Sequence, residues 1–277
     1  MADPKQGLWG SSYRLIAAEK WKAKSAVMGS GVTEALVEYA RPLPGMQVLD
    51  LASGTGEPGI TLAQRVTPDG CVTAVDLSAE LLELAAKRAI DKNLGNFTIR
   101  QADAHQLPFP DHTFDLCTCR FGVMFFSDVE RALAELRRVL KPGARACFAV
   151  WGSIDQPYWE TTMKVVQKYA GGAMLQAGGS DPFRYSEDGS LSLALRAGGF
   201  GGVEESSRTV PWVWRGTTED VFEYATAVSV PFRAMLDRVP ADKWPDVRKE
   251  SFATIDRYRA GDEIRFGCLV ILASGRA

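Results

Sequence analysis

The chain has 277 residues, of which 46% are hydrophobic and 24% are charged, an ordinary composition for a globular protein with a substantial core. The formal net charge of −2 indicates no basic field of the kind that attracts nucleic acid. The five cysteines form no Cys-x-x-Cys pair and only two histidines are present, so no metal site is expected.

The predicted compartment rests on the N-terminus, the apolar runs and the cysteines. The opening sequence MADPKQGLWG lacks the pattern of a secretory signal peptide. No apolar run approaches the ~20 residues that a helix needs to cross a bilayer. Most cysteines fall in predicted strands, where they behave as small hydrophobes. We therefore expect a cytoplasmic protein with no membrane span, and the sequence leaves its oligomeric state open.

The segment before the first predicted strand mixes aromatic and basic residues. Apolar residues recur at helical spacing over residues 32–39, which predicts a helix that ends near Arg41. Trp9 and Trp21 either pack against the body of the protein or belong to a cover over a ligand pocket. We expect residues 1–45 to form an N-terminal helical cover.

Residues 47–63 predict a buried strand, a tight glycine turn and a helix. Gly54, Gly56 and Gly59 have the spacing G-x-G-x-x-G. Glycine lets a backbone turn sharply and approach a ligand closely, and the start of the helix offers free N–H groups. The pattern suits the pyrophosphate of a dinucleotide and also the nucleoside end of S-adenosylmethionine.

Two aspartates flank this glycine turn. Asp50 precedes the first glycine, where a carboxylate would repel a pyrophosphate and attract a cationic amino-acid and sulfonium group. Asp76 ends the next apolar run, where it can accept hydrogen bonds from the ribose hydroxyls of either cofactor. Asp50 therefore favours S-adenosylmethionine over a dinucleotide as the predicted cofactor. A strand, turn and helix without a ligand is the alternative, but an unpaired acid at a buried strand end is costly.

Further along the chain, strands and helices continue to alternate. Ser78 predicts the N-cap of a helix, and a strand near residues 97–101 leads into Asp103. Ligands of open α/β sheets bind at the carboxyl ends of the strands. Asp103 therefore either accepts the amino group of adenine, with the Ala104 N–H donating to a ring nitrogen, or caps the next turn.

Strands predicted at residues 114–119 and 146–151 enclose another helix. Ser127 and Glu130 predict a capping box at its start, and Lys141-Pro142-Gly143 is expected to terminate it. The repeated order of strand and helix, with short connections, predicts an α/β doubly wound, mostly parallel sheet with right-handed crossovers.

Four motifs follow one another between residues 47 and 152: VLDLASGTGEPG, VDLS, QADAHQLPFPDHTFDL and ELRRVLKPGARACFAVWG. In these motifs the sequence resembles the class I S-adenosylmethionine-dependent methyltransferases, in particular the group that includes the ubiquinone and menaquinone biosynthesis enzymes. The resemblance implies a Rossmann-like sheet of seven strands with an antiparallel last strand, and S-adenosyl-L-methionine as the cofactor. Ala52 stands where many members have the first glycine of the loop, and it is small enough to let a cofactor approach.

The resemblance also implies roles for residues along one edge of the sheet. Asp50, Gly54 and Gly56 would line the methionine end, Asp76 would bind ribose, and Asp103 would bind adenine together with Ala104. Arg120 and Phe121 would lie at the floor of the pocket near the transferred methyl group. The predicted cofactor-binding residues are Asp50, Ala52, Gly54, Gly56, Asp76, Leu77, Asp103, Ala104, Arg120 and Phe121.

The second half of the chain is predicted to complete the sheet and to carry helical insertions that form a lid. Strands are expected at residues 203–214 and 263–274, and the resemblance would make the last one antiparallel. Residues 46–152 would form the cofactor-binding core and residues 153–277 the remainder of a single compact domain. The charged residues between 237 and 250 predict a solvated face.

Together these features predict methyl transfer by in-line displacement to a small, largely apolar or aromatic acceptor. The alternatives are a nicotinamide-dependent oxidoreductase, which Asp50, the Asp103-Ala104 pair and the lack of a Tyr-x-x-x-Lys pair oppose, and a non-catalytic cofactor-binding module. The predicted acceptor-binding residues, unless their aromatic rings are core packing, are Arg120, Met124, Phe125, Trp151, Tyr158 and Tyr185.

No catalytic base emerges from the sequence. His105 and His112 are the candidates by pKa. His105 follows the predicted adenine-binding residues and is expected to lie far from the methyl group. His112 belongs to a Pro-Asp turn that is expected to be exposed. Arg120 is better placed, but it stays protonated and is therefore suited to holding an anionic or carbonyl group.

Overall fold

The computed structural model describes residues 27–277, so Trp9, Trp21 and the rest of residues 1–26 of the predicted cover lie outside the described residues. Within this range a mixed eight-stranded sheet has the order β3-β2-β1-β4-β5-β8-β6, with β7 paired to β8. The strands are β1 Gln47–Leu51, β2 Cys71–Asp76, β3 Phe97–Gln101, β4 Phe114–Arg120, β5 Leu140–Trp151, β6 Gly201–Arg215, β7 Arg259–Ala260 and β8 Glu263–Arg276.

Helices connect the strands and extend beyond the sheet. Between β4 and α4, and within the second half of the chain, single 3-10 turns supplement them. The α-helices of the described range are α1 Ser30–Ala40, α2 Gly59–Arg65, α3 Ala79–Asp91, α4 Val129–Val139, α5 Pro157–Thr161, α6 Met163–Ala170, α7 Ser190–Ala197, α8 Thr218–Val228, α9 Arg233–Leu236 and α10 Trp244–Ile255.

The direction of strand succession reverses between β1 and β4. β1, β2 and β3 pair in parallel on one side, and β4 and β5 continue in parallel on the other. Because such crossovers are right-handed, α2 and α3 lie on one face and α4 on the opposite face. α1 contacts α2, and α7 contacts α4. β8 is antiparallel to both β5 and β6, so the predicted doubly wound sheet with an antiparallel last strand is confirmed.

The seven strands of the continuous path agree with the prediction, and the two residues of β7 pair with β8 beside it. Two local predictions need correction. Asp128, not Ser127, caps α4, since its carboxylate accepts the Arg131 N–H. β5 begins at Leu140 and includes Lys141-Pro142-Gly143, which was expected to lie outside it. The pairing of β4 with β5 is irregular at this point, and such irregularities accommodate proline in a strand.

The core follows from the pattern of apolar residues. Val48 and Leu49 of β1 are both fully buried, as expected for a parallel strand covered on both faces. In α4 the buried residues recur at helical spacing, while Arg138 faces outward to its ion pairs. One continuous cluster of buried side chains joins the sheet to its helices.

The predicted insertions form a group of helices that pack on one another: α5, α6, α8, α9 and α10. We call this group the helical cap. α5 and α6 follow β5 directly, whereas α8 to α10 lie between β6 and β7. In residues 27–277 no helix has both the length and the apolar character to span a membrane.

Candidate functional site

A cavity of about 720 Å³ lies at the carboxyl ends of the parallel strands, where ligands of such sheets bind. We call the side formed by residues 51–57 and the ends of β2 and β3 the loop half. The other side, formed by the ends of β4 and β5, β6 and the helical cap, is the aromatic half. The predicted residues that line the cavity are Ala52, Gly54, Asp76, Leu77, Asp103, Ala104, Arg120, Phe121, Met124, Phe125, Trp151 and Tyr158.

The loop after β1 is turned by residues in the left-handed conformation. Ala52 has φ 55° and Gly54 has φ 55°, so Ala52 adopts the backbone conformation that glycine adopts most readily. A Cβ on Gly54 would meet no atom within 4 Å. The backbone here therefore borders open space, which leaves room for a ligand to approach it.

Asp50 does not line the cavity, contrary to its predicted contact with the methionine end. It is fully buried beneath the loop. One carboxylate oxygen accepts hydrogen bonds from Ser53 Oγ at 2.6 Å and Gly59 N at 2.9 Å, and the other accepts from Thr118 Oγ1 at 2.8 Å. Burial raises the pKa of Asp50 to about 6, although these hydrogen bonds oppose the rise. Asp50 thus fastens both ends of the glycine loop to the sheet.

Gly56 also lies behind the cavity surface. Its φ is 104°, and a Cβ at this position would lie 2.7 Å from the side chain of Ile60 and 3.0 Å from that of Ala85. Glycine is therefore required for the packing of α2 and α3 against the loop. The sequence spacing identifies the loop but does not separate glycines that face a ligand from those that face a helix.

Asp76 stands at the end of β2 and lines the loop half of the cavity. One of its oxygens accepts the Gly54 N–H at 2.8 Å, and the other accepts the Ser78 N–H at 3.0 Å. A carboxylate has about four acceptor positions, so both oxygens can still accept hydroxyl groups. Asp76 therefore fastens the glycine loop to the end of β2 and keeps acceptor positions at the cavity surface.

Asp103 follows β3 and also lines the loop half. Its Oδ1 accepts hydrogen bonds from the backbone N–H of His105 at 2.9 Å and from the His105 ring. Although partial burial raises the pKa of Asp103, these hydrogen bonds outweigh burial and hold it below its ordinary value. Asp103 is thus a fixed carboxylate at the cavity edge.

Arg120, at the end of β4, brings a cation to the cavity. Its Nη1 donates to Thr33 Oγ1 at 3.0 Å and to the Gly29 carbonyl at 3.3 Å. Among residues 27–277 no carboxylate forms an ion pair with it, and its buried Nε has no hydrogen-bond partner. Burial lowers the pKa of Arg120, and the negative charges of Glu57 and Asp50 oppose this effect.

Aromatic rings build the wall beside Arg120. Phe121 adopts a left-handed φ of 58° and stacks on Trp151 with ring centroids 4.3 Å apart. Trp151 contacts Trp159 and Trp212 edge to face, each at 5.2 Å. Tyr158 packs against Trp159 at 4.9 Å. These contacts hold the rings rigidly at the surface of the cavity.

Several residues that line the cavity were not predicted from the sequence, and one predicted residue lies outside it. Trp159 and Trp212 line the cavity but come from α5 and β6, which only the fold brings together. Tyr185 is buried and absent from the cavity wall, with the Arg184 guanidinium 5.5 Å from its ring centre. Met124 and Phe125 line the cavity as expected.

An ion pair next to the glycine loop was also not anticipated. Arg88 of α3 pairs with Glu57 at 3.1 Å, and both side chains are largely buried. Arg88 also donates to the Thr55 carbonyl. The position of Glu57 directly after the glycine loop was the available sequence signal. This pair fixes the far side of the loop, and all three residues border the cavity.

The two histidines lie in different places. His105 borders the loop half of the cavity, whereas His112 is held in its turn at the Leu140 carbonyl, 3.1 Å from Nδ1. Within residues 27–277 no group of three or more His, Cys, Asp or Glu side chains is arranged to hold a metal ion.

Comparison with known proteins shows which family the chain resembles. A family model described as "Methyltransferase domain" matches residues 48–143. The chain is 36% identical over 174 residues to the ubiquinone/menaquinone biosynthesis C-methyltransferase UbiE of Shewanella halifaxensis, covering 61% of this chain and 68% of that protein. It is 39% identical over 133 residues to UbiE of Teredinibacter turnerae, covering 46% of this chain and 53% of that protein. The chain therefore spans about half to two thirds of the length of these curated relatives.

Solved structures share the fold. The YcgJ protein of Bacillus subtilis superposes with a TM-score of 0.54 at 22% identity, covering 88% of this chain and 97% of that one. The [4+2]-cyclase SpnF does so with a TM-score of 0.52 at 23% identity, covering 88% of this chain and 79% of that one. Because one of these proteins is named as a cyclase, the fold alone does not define the reaction.

The sheet, the glycine loop and the cavity at the carboxyl ends of the strands define a Rossmann-like α/β fold. The sequence relatives narrow this class further. The chain belongs to the family of S-adenosylmethionine-dependent methyltransferases, with S-adenosyl-L-methionine as its cofactor. A nicotinamide-dependent oxidoreductase is not favoured.

Proposed function

We propose that this enzyme transfers the methyl group of S-adenosylmethionine to a small, largely apolar or aromatic acceptor that carries a carbonyl or carboxylate oxygen. One observation carries the proposal: Arg120 brings a partly buried cation to an aromatic cavity wall, with no carboxylate ion-paired to it among residues 27–277. Small-molecule sites typically combine apolar walls with a few polar groups that fix orientation. Arg120 already donates to Thr33 and Gly29, and an acceptor oxygen would supply the negatively charged or carbonyl partner on its cavity side.

The loop half supports the assignment of the cofactor residues. Ala52 and Gly54 would border the methionine end, because the backbone there faces open space. Asp76, with the neighbouring Leu77, would hold the ribose. Asp103 would accept the adenine amino group, with Ala104 beside it. This order along the sheet edge leaves the transferred methyl group facing the aromatic half.

The bound cofactor supplies the electrophile, a methyl group on a sulfonium, so the protein needs no covalent nucleophile. The task of the chain is to align the acceptor with the methyl group and to exclude water. Arg120 would orient the acceptor by its oxygen, and Phe121 and Trp151 would hold its apolar part. The helical cap follows β5, and its residue Tyr158 would cover this side of the site.

The named activity of the relatives fits this proposal. The two UbiE relatives are named as C-methyltransferases of ubiquinone and menaquinone biosynthesis. A ring that bears oxygens and apolar substituents matches an aromatic wall with one cation. We therefore include such acceptors among the first to be tested, together with simpler aromatic carboxylates and phenols.

The partner and the compartment belong to the same proposal. The net charge of −2 gives no support for a nucleic-acid acceptor. The five cysteines are free thiols, and this supports a reducing, cytoplasmic setting.

A labelled-donor assay over a panel of acceptors tests the proposal. Once an acceptor is found, Arg120→Leu should lower its turnover at least tenfold, while affinity for S-adenosylhomocysteine stays within a few-fold, since a hydrogen-bonded charge contributes about 1.5–3 kcal/mol. Arg145→Leu is the matched control, because Arg145 also ties α1 to the sheet, through the Tyr39 carbonyl and Ser274 Oγ, but lies outside the cavity. A loss that falls on cofactor affinity would show that Arg120 belongs to the donor site instead.

A further inference from the structure

His105 occupies a junction between the end of β3 and the start of α4. Its Nδ1 meets Asp103 Oδ1, and its backbone N–H donates to the same oxygen at 2.9 Å. At the other side of the ring, Nε2 accepts the backbone N–H of Asp128 at 3.2 Å, with Ser127 Oγ at 3.4 Å. Arg131 holds the His105 carbonyl at 3.0 Å. The imidazole is thus restrained on every polar atom.

These contacts assign the tautomer of the ring. A backbone N–H can only donate, so Nε2 must be the unprotonated nitrogen that accepts from Asp128. Nδ1 must then carry the hydrogen and donate it to Asp103. The contacts therefore place the ring hydrogen on Nδ1 and leave Nε2 as the acceptor, an arrangement set by the two neighbours rather than by the cavity. Since both nitrogens are engaged, His105 has none left to take a proton from an acceptor.

The same contacts constrain Asp103. Both donors from His105 converge on Oδ1, and no other residue of the range 27–277 donates a hydrogen bond to Oδ2. The Asp103 side chain is about half exposed, at 48%, and the residue borders the cavity. A carboxylate fixed through one oxygen presents the other in a defined direction, which lowers the cost of ordering it on binding.

We infer that His105 is a positioning residue for the adenine of the donor: it holds Asp103 so that Oδ2 accepts the 6-amino group. The inference rests on the proposed function, because Asp103 is assigned to adenine there. It also gives His105 a role in base recognition in place of acid–base chemistry. Asp128, as the N-cap of α4, ties this recognition to the helix that follows β4.

The tautomer can be observed directly, since the chain has only two histidines. Nitrogen-15 NMR of the imidazole rings, assigned with His112→Gln, should show Nδ1 of His105 protonated and Nε2 unprotonated in the free protein. A ring with its proton on Nε2 would overturn the inference. This measurement needs neither donor nor acceptor, so its outcome is independent of the proposed function.

Base recognition is tested with two probes, S-adenosylhomocysteine and its inosine analogue, which has an oxygen in place of the 6-amino group. Wild type should prefer the adenine probe, and His105→Ala should reduce this preference roughly fivefold to tenfold, mainly by weakening adenine binding. His105→Asn, whose amide can still donate to Asp103, should retain more of the preference. His112→Ala is the control and should leave the preference unchanged.

The possible outcomes distinguish failure of the His105 positioning role from failure of the proposed cofactor site. An equal loss for both probes in His105→Ala would show a general structural role and overturn the positioning role. An unchanged preference in that variant would overturn it as well. If wild type binds neither probe, the proposed cofactor site fails, and the positioning role falls with it even where the tautomer is as expected.

Discussion

Asp50→Asn is the perturbation whose magnitude follows most directly from the structure. Asparagine has the same shape as aspartate. Its oxygen can accept from Ser53 and Gly59, and its amide can donate to the Thr118 hydroxyl. The substitution therefore keeps all three contacts that fasten the loop, with the direction of the Thr118 hydrogen bond reversed, and removes the titratable charge. Asp50→Ala would remove the hydrogen bonds as well and serves as the contrasting variant.

The sign of the pH effect follows from the raised pKa of Asp50. The pKa is about 6 in the folded protein against 3.8 ordinarily, so the folded state holds a proton that the unfolded chain releases. The contribution of this carboxyl to stability is most favourable below pH 3.8 and is lost as the pH rises through about 6. The separation corresponds to ~3 kcal/mol in full, at ~1.4 kcal/mol per pKa unit.

The assay is urea unfolding of wild type and Asp50→Asn at a series of pH values. Between pH 4 and pH 7 wild type should lose about 2 kcal/mol of unfolding free energy relative to the variant. The comparison cancels the carboxylates with lowered pKa values, such as Glu135 and Glu263, which titrate in both proteins. A difference between the two proteins that does not change with pH would refute the burial argument. Donor affinity reduced in Asp50→Asn by more than tenfold would show direct contact with the cofactor instead.

The remaining predictions concern the loop half of the cavity. Asp76→Ala should lower affinity for S-adenosylhomocysteine at least tenfold by calorimetry, since two charge-assisted hydrogen bonds contribute ~1.5–3 kcal/mol each; unchanged affinity in a folded variant would remove Asp76 from the site. Gly54→Val should abolish donor binding in a protein that still folds, because its side chain would enter the open cavity. The left-handed φ of 55° strains any side chain here, so the variant should also be less stable than wild type. Normal binding would show that the loop does not contact the donor. Ala52→Gly should raise the free energy of unfolding by about 0.5–1 kcal/mol, because glycine relieves the left-handed strain of ~1–2 kcal/mol at a smaller entropic cost. A destabilised Ala52→Gly variant would show that the methyl group contributes more by packing than it costs in strain.

Gly56→Ala provides the contrast for Gly54→Val. A methyl group on Gly56 would collide with Ile60 inside the protein, so this variant should lose stability before it loses affinity. The pair therefore separates the glycine that faces the ligand from the glycine that packs against a helix.

The fold could be predicted because its signals are local and repeated. Ser78 does cap α3, and the helix predicted to end near Arg41 ends at Ala40. The exact starts of α4 and β5 could not be predicted, because Asp128 and Ser127 are both good caps and a bulge lets Pro142 enter a strand. Such choices depend on pairing partners distant in sequence.

The loop half was accessible to sequence reasoning for the same reason, as its residues follow strands at fixed positions. The role of Asp50 could not be predicted, because residue spacing in the sequence cannot distinguish a carboxylate that faces a ligand from one buried beneath the ligand-binding loop. The aromatic half was only partly accessible. Trp151 follows directly from the end of β5, but Trp159 and Trp212 reach the cavity from elements whose placement only the three-dimensional packing determines.

A crystal structure with S-adenosylhomocysteine tests most directly whether the cavity is divided into a donor half and an acceptor half. We predict the ribose at Asp76, the adenine at Asp103 and Ala104, and the sulfur directed towards Phe121, with the aromatic half left open beside Arg120. A homocysteine tail that fills the aromatic half, with its carboxylate on Arg120, would contradict the placement of the acceptor.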